Sequence, residues 1–186
     1  MGYGIVAEVG EVLVKLLSEN MVPDVISSPQ NIGLCSPDEH GDLNLGIFLF
    51  DIEESEEVVT QGMVNTGLRR QAYPSVFMDL YYMVTAYSVS DLKFRAGEEQ
   101  KILGKVIQVF RDYSVLSEQI LGEGVSFPAR IELQKLEQYE KIRMWNFSNV
   151  PYKVSLFYRV GPIEITSSKV KEVARVTDVA FEVQSV

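Results

Sequence analysis

The run Pro74-Ser75-Val76-Phe77-Met78-Asp79-Leu80-Tyr81-Tyr82-Met83-Val84-Thr85-Ala86-Tyr87-Ser88 constrains the fold more than any other segment. It is dominated by aromatic, β-branched and other apolar residues, the kinds that suit a pleated surface. A proline at its start sits where a missing N–H costs a strand least. Alternation puts Phe77, Tyr81 and Met83 on one face and Met78, Leu80, Tyr82 and Val84 on the other. Both faces are apolar, so this strand needs cover on both sides. Asp79 is its single charge and needs a partner or a watery edge. The stretch predicts a core element and carries no chemistry of its own.

The flanking sequence supplies the cover. Ile5, Val6, Val9, Val12, Leu13, Leu16 and Leu17 recur at helical spacing, which predicts a helix over about 4–20 with its acids off the stripe. Val22 to Leu34 reads as a loop with a short strand near Ile32. Ser36 to Asp42 has turn composition. Leu43 to Ile52 predicts a strand, paired across that turn as a hairpin with the segment near Ile32. Glu53-Glu54-Ser55-Glu56-Glu57 then leaves the sheet, and 58–73 reads as a loop or β-excursion with Arg69 and Arg70 exposed.

Further along, Ser88-Val89-Ser90-Asp91 has the outline of a capping box. Ile102, Leu103, Val106, Val109 and Phe110 predict a helix over about 97–112, with Gly104 as either a tolerated defect or a point of close packing against a strand. A short strand at 130–133 and a short helix over 136–145 follow, the helix directing Leu136, Tyr139 and Ile142 inward. Clean alternation over 150–160 and again over 170–183 predicts two more strands, the last reaching the chain end with Val179, Phe181 and Val183 in phase. Helix, strands, helix, short helix, strands is an α+β order with a mainly antiparallel sheet flanked by helices. A single domain over 1–186 can bury roughly 70% of its unfolded surface.

Charge narrows the partners. The formal net charge is −9, which argues against nucleic acid. Residues 1–60 hold twelve Asp and Glu against one Lys15, while the rest is nearly balanced. Such a lopsided surface serves solubility or docks on a basic partner. Glu53, Glu54, Glu56 and Glu57 are the preferred contacts, since crowded acids need solvent or a match. No apolar run approaches the ~20 residues of a membrane-spanning helix. The first residues lack the basic start of a signal peptide, and a lone Cys35 is consistent with a reducing compartment.

Catalytic motifs are absent. One histidine, His40, and one cysteine cannot form a zinc cluster and make a weak nucleophile pair. The Gly2-Tyr3-Gly4 and Gly122-Glu123-Gly124 fragments lack the rest of a phosphate-binding loop. Asp51 and Asp79 both fall in predicted strands, so a carboxylate-pair hydrolase is one alternative, and a solitary protein-binding module is another. The expectation is a non-enzyme without metal or cofactor.

The order of the apolar motifs adds a resemblance. Pro74 to Tyr87 resembles the strand "P-P-x-x-x-D-L-x-Y-L-x-T-A-Y", and Lys101 to Asp112 the helix "L-L-G-x-x-x-x-x-L-H-D", of the cap or tail-terminator proteins of phage-tail-like contractile injection systems. Val115-Leu116 is similar to the "P-V-L" that follows, and Ile131 to Leu133, the Trp145 helix and Tyr152 to Arg159 to the closing part. Ser75, Met83, Phe110, Arg111 and Ser114 depart from the pattern. The resemblance covers virulence-cassette and antifeeding-prophage particles. It implies a tail-terminator fold and a hexameric ring closing the inner tube and sheath. It also implies synthesis in the cytoplasm, incorporation into the particle, and no membrane insertion by these residues. Glu53, Glu54, Glu56, Glu57, Arg69, Arg70, Val179, Phe181 and Val183 become candidate partner or subunit contacts.

Overall fold

The stretch after Pro74 is strand β5 (Val76–Ala86), third of six in the larger sheet of the computed structural model. The structure describes residues 2–58, 62–67, 70–117, 121, 127–147 and 150–172. Its other elements in chain order are α1 (Ile5–Met21), β1 (Ile32–Leu34), β2 (Leu45–Glu54), β3 (Val64–Gly67), β4 (Arg70–Ala72), α2 (Leu92–Asp112), β6 (Val115–Leu116), β7 (Ala129–Leu133), α3 (Gln138–Met144), β8 (Ser155–Ile165) and β9 (Val170–Glu172). The larger sheet runs β1-β2-β5-β8-β7-β6, antiparallel at every junction except the first. Strands β3, β4 and β9 form a small antiparallel sheet. This is the α+β, mainly antiparallel architecture that the sequence predicts.

The two apolar faces of β5 are covered differently. Leu80, Tyr82 and Val84 join Leu13 and Leu17 of α1, Val106 and Phe110 of α2, and Tyr158 and Val160 of β8 in the main core. Phe110 meets the Tyr158 ring edge to face at 4.8 Å, and burial pushes the Tyr158 phenol up to about 12. On the opposite face Met83 packs with Phe157 and Trp145, ringed by Phe48, Phe50, Leu136 and Phe147. Each buried side chain of this size contributes about 1.5–3 kcal/mol, so a strand buried on both faces organises both layers. Between the strands, Thr85 and Ser155 satisfy each other's buried hydroxyls at 2.7 Å.

Several local expectations change. β1 runs parallel to β2, Ile32 facing Leu45. It is not a hairpin, because the connecting residues fold through a short 3-10 turn at Pro37–Glu39 and return the chain in the same direction. β2 does not end before the acids: Glu53 and Glu54 stay in register with Asp79 and Met78. The helix placed at 97–112 begins at Leu92; its first turns carry polar and exposed residues that leave no apolar stripe to read. Asp91 is its N-cap residue, but no side chain caps it. Gly104 has open space where a Cβ would sit, so it packs against no strand and is a tolerated defect.

In α3, Tyr139 and Ile142 are exposed rather than inward, and burial falls on Trp145 just past its end. The indole N–H donates to the Pro151 carbonyl at 2.8 Å, which anchors that segment. A capping box of Glu137 and Glu140 starts this helix. The strand expected over 150–160 occupies Ser155–Ile165, since residues before Ser155 serve the Trp145 anchor. The final strand is described only over Val170–Glu172; Val179, Phe181 and Val183 lie outside the described residues.

The pairing of β5 with β8 is irregular at one point. Met78 pairs with Ile163 but Leu80 with Val160, so β8 carries an extra residue opposite Asp79. This is a bulge, and Gly161 sits in it. An added Cβ at Gly161 would lie 2.1 Å from Asp79 Oδ1 and 3.2 Å from its Cα. Only glycine lets the carboxylate lie against the β8 backbone.

Two stability changes are expected from this packing. Gly161→Ala forces Asp79 aside and lowers stability by about 1–3 kcal/mol, as overpacking does; an unchanged denaturant midpoint would contradict the close approach. The Tyr82 hydroxyl is buried without a partner among the described residues. Tyr82→Phe removes that unsatisfied group and is expected to raise stability by about 1 kcal/mol. A lower melting temperature in that variant would mean the hydroxyl is satisfied after all.

Candidate functional site

Chemistry-bearing side chains gather where β2 outruns its neighbour and the chain turns away. Beyond Glu54 the buried Ser55 donates its backbone N–H to the Phe77 carbonyl at 2.7 Å, fixing the exit from the sheet. Glu53, Glu54, Glu56 and Glu57 then line an open cleft of about 750 Å³ with Asp79, Tyr81 and Arg159.

Arg159 is the centre of this cleft. Its Nε lies 2.8 Å from Asp79 Oδ2, one terminal nitrogen 2.7 Å from Glu57 Oε1 and the other 3.0 Å from Glu132 Oε2. The three acids come from β5, the segment after β2, and β7, so one guanidinium ties three separate parts of the chain to β8. Its planar fork of donors suits such divergent carboxylates. Burial alone would lower the Arg159 pKa, but the hydrogen bonds and charges of Asp79 and Glu57 outweigh it, and the net shift is upward. The Tyr81 phenol is raised first by burial and then by its hydrogen bond to Glu53 and that carboxylate's charge.

The structure thus brings the four acids of the Glu53–Glu57 run to one rim, as the sequence suggests, and spends one of them, Glu57, on an internal ion pair. Arg70 is exposed on β4, opposite Glu172 of β9 and in the small sheet. Arg69 lies outside the described residues. Asp79 has the partner its position demands. Arg159 and Glu132 are the neighbours of these acids that sequence reading missed. Alternation in β8 places Arg159 on the polar face, but strand pairing that joins it to Asp79 is not written in any local pattern.

The arrangement is poor for catalysis. Asp51 and Asp79 fall on adjacent strands, yet Asp51 faces Tyr81 and accepts the Ile52 N–H at 2.9 Å, while Asp79 faces Glu53 and is held by Arg159. His40 stacks on Tyr87 with ring centroids 3.9 Å apart, and burial raises the Cys35 thiol, which favours its unreactive form. Among the described residues no group of three or more His, Cys, Asp and Glu is placed to hold a metal ion. No helix among them is long and apolar enough to cross a membrane.

No curated protein matches the chain, but solved structures share its fold. One described as the sheath/tube terminator of an extracellular contractile injection system, PVC, in the extended state aligns with a TM-score of 0.69 and 16% identity, over 97% of this chain and 64% of that one. The anti-feeding prophage cap, described as a tube-terminating cap, aligns with a TM-score of 0.53 and 20% identity over 74% of this chain and 48% of that one. The chain therefore spans about two thirds and one half of those proteins, and at such identities the likeness is one of fold. The Pvc16 N-terminal domain profile matches residues 8–178, and this chain belongs to the Pvc16 N-terminal domain family.

Proposed function

We propose that this chain is a structural cap protein, forming a hexameric ring that terminates the inner tube and sheath of a phage-tail-like contractile injection particle. The observation that carries the reading is the fold shared along 97% of the chain with a sheath/tube terminator. The cleft agrees with it. Its acids hold an arginine and face open solvent, an arrangement suited to a contact surface. On this reading residues 1–186 act as one cap domain without cofactor. Its partners are its own copies, the tube protein and the sheath protein. The protein is made in the cytoplasm and ends in the assembled particle.

Termination has a physical requirement. Identical stacked rings add head to tail, and such heterologous contacts have no built-in stop. A terminator matches the last ring on one side and offers no matching surface on the other. Unequal charge along the chain suits that task. Glu53, Glu54, Glu56 and Glu57, with Arg69, Arg70, Val179, Phe181 and Val183, are the proposed contacts to partners or neighbouring subunits.

Deleting the gene is expected to give particles of irregular length, or tubes without a stable sheath, on intact baseplates. Electron microscopy reads this directly; normal lengths, ends and sheaths in the deletion strain would refute the terminator role. The electrostatic part has its own check. Replacing Glu53, Glu54 and Glu56 by Gln, with Glu57 left on Arg159, is expected to weaken attachment of the cap to purified tube ends. Raising salt to about 1 M, where the screening length falls to ~3 Å, should do the same. Attachment indifferent to both would leave those acids a role in solubility alone.

A further inference from the structure

Among the described residues, the strands at both ends of the larger sheet are short and leave part of their neighbours' edges uncovered. β1 covers only Leu45–Ile47 of β2, so Phe48–Glu54 has no strand beside its outer edge among the described residues. At the other end β6 covers only Ala129 and Arg130 of β7, the Ile131 N–H bonds to the Ser114 carbonyl at 2.9 Å, and Glu132 and Leu133 have no strand beside them on that side among the described residues. Open edges present unpaired backbone donors and acceptors that template another strand. Both are also flanked by exposed apolar side chains: Leu34 and Ile52 (47% and 43% exposed) beside β2, and Val115 and Leu133 (47% and 55%) beside β7.

The two edges differ in charge. Asp51 and Glu54 are exposed on β2 and make no ion pair with any described residue. The groove of about 570 Å³ between α2 and β7 is lined by Ile107, Arg111, Arg130 and Leu133, with Glu132 already paired to Arg159. Arg111 and Arg130 are exposed and likewise have no ion-pair partner among the described residues. Charges on an edge can simply keep other strands away. That purpose does not require the opposite edge of the same sheet to carry the opposite charge.

We infer that the β2 edge of one copy docks on the α2/β7 groove of the next, Asp51 and Glu54 meeting Arg111 and Arg130, so that the sheets of neighbouring copies join. The occupant is a second copy because the two surfaces are unlike and complementary. They sit at opposite ends of one sheet, and a contact of that kind repeats head to tail and can close into a ring. Backbone pairing supplies the adhesion, while the charges set partner and register. The inference rests on the ring in the proposed function and names the surface that makes it.

Sedimentation of the purified chain over a range of concentrations, with and without tube ends, tests it. Glu54→Arg alone and Arg130→Glu alone are expected to weaken self-association by about tenfold or more, because like charges then face each other. Both changes in one chain should restore it. The same cycle at Asp51 and Arg111 serves if a first variant folds poorly by circular dichroism. Assembly indifferent to the single reversals, or not restored by the pair, overturns this interface and leaves the ring standing. Reversals that spare self-association but abolish attachment to tube ends overturn it in favour of a tube or sheath strand on the same edge. A wild-type chain that stays monomeric at every concentration, tube ends included, removes the ring and the interface together.

Discussion

The pair Asp79–Arg159 is the contact on which the arrangement of this end of the molecule depends. A carboxylate 5% exposed on a central strand would be untenable alone. Removing one partner of such a pair costs about 3–5 kcal/mol, because the other charge is left buried. Glu57 and Glu132 contribute differently. Their side chains are about half exposed, where ion pairs are worth about 0–1 kcal/mol. Asp79 therefore fixes where the guanidinium sits, and the outer two acids position the segment after β2 and the strand β7 around it.

The bulge at Gly161 is what makes that pair possible. The shift in register leaves Asp79 opposite the bulge rather than a paired residue, and a Cβ at position 161 would collide with its carboxylate. The absence of a Cβ there, the extra residue and the buried acid are thus one feature shared by two strands, β8 and β5. None of it is visible as a motif. The chain reads "Tyr-Arg-Val-Gly-Pro", which suggests a strand ending at a turn, whereas β8 runs on to Ile165.

Period and composition carried the parts of the fold that depend on one face at a time. The α1 stripe, the two apolar faces of β5 and the Ile102–Phe110 stripe of α2 all appear where alternation or helical spacing puts them. What failed depends on pairing or on end effects. Parallel or antiparallel pairing of β1 is decided by the path of a connecting turn. The start of α2 is exposed and polar, so hydrophobic spacing is silent about it. Tyr139 and Ile142 have the spacing of a buried stripe, but α3 is short and its anchor is the indole after it. At the candidate site, the Glu53–Glu57 cluster was legible as a run of like charge. Its central arginine, about a hundred residues later, was not.

A cap differs from an enzyme in what its residues must satisfy. A catalytic site needs a few groups at fixed distances, and those leave motifs. A terminator needs surfaces that match on one side and fail to match on the other, and many residue sets can do that. In this chain the charges fall into two classes. Asp79, Arg159, Glu57 and Glu132 are spent inside the subunit, while Asp51, Glu54, Arg111 and Arg130 have no ion pair within its described part. An internal network can hold a rim rigid; only unspent charges can recognise a neighbour. The division of labour separates what builds the subunit from what can select its contacts.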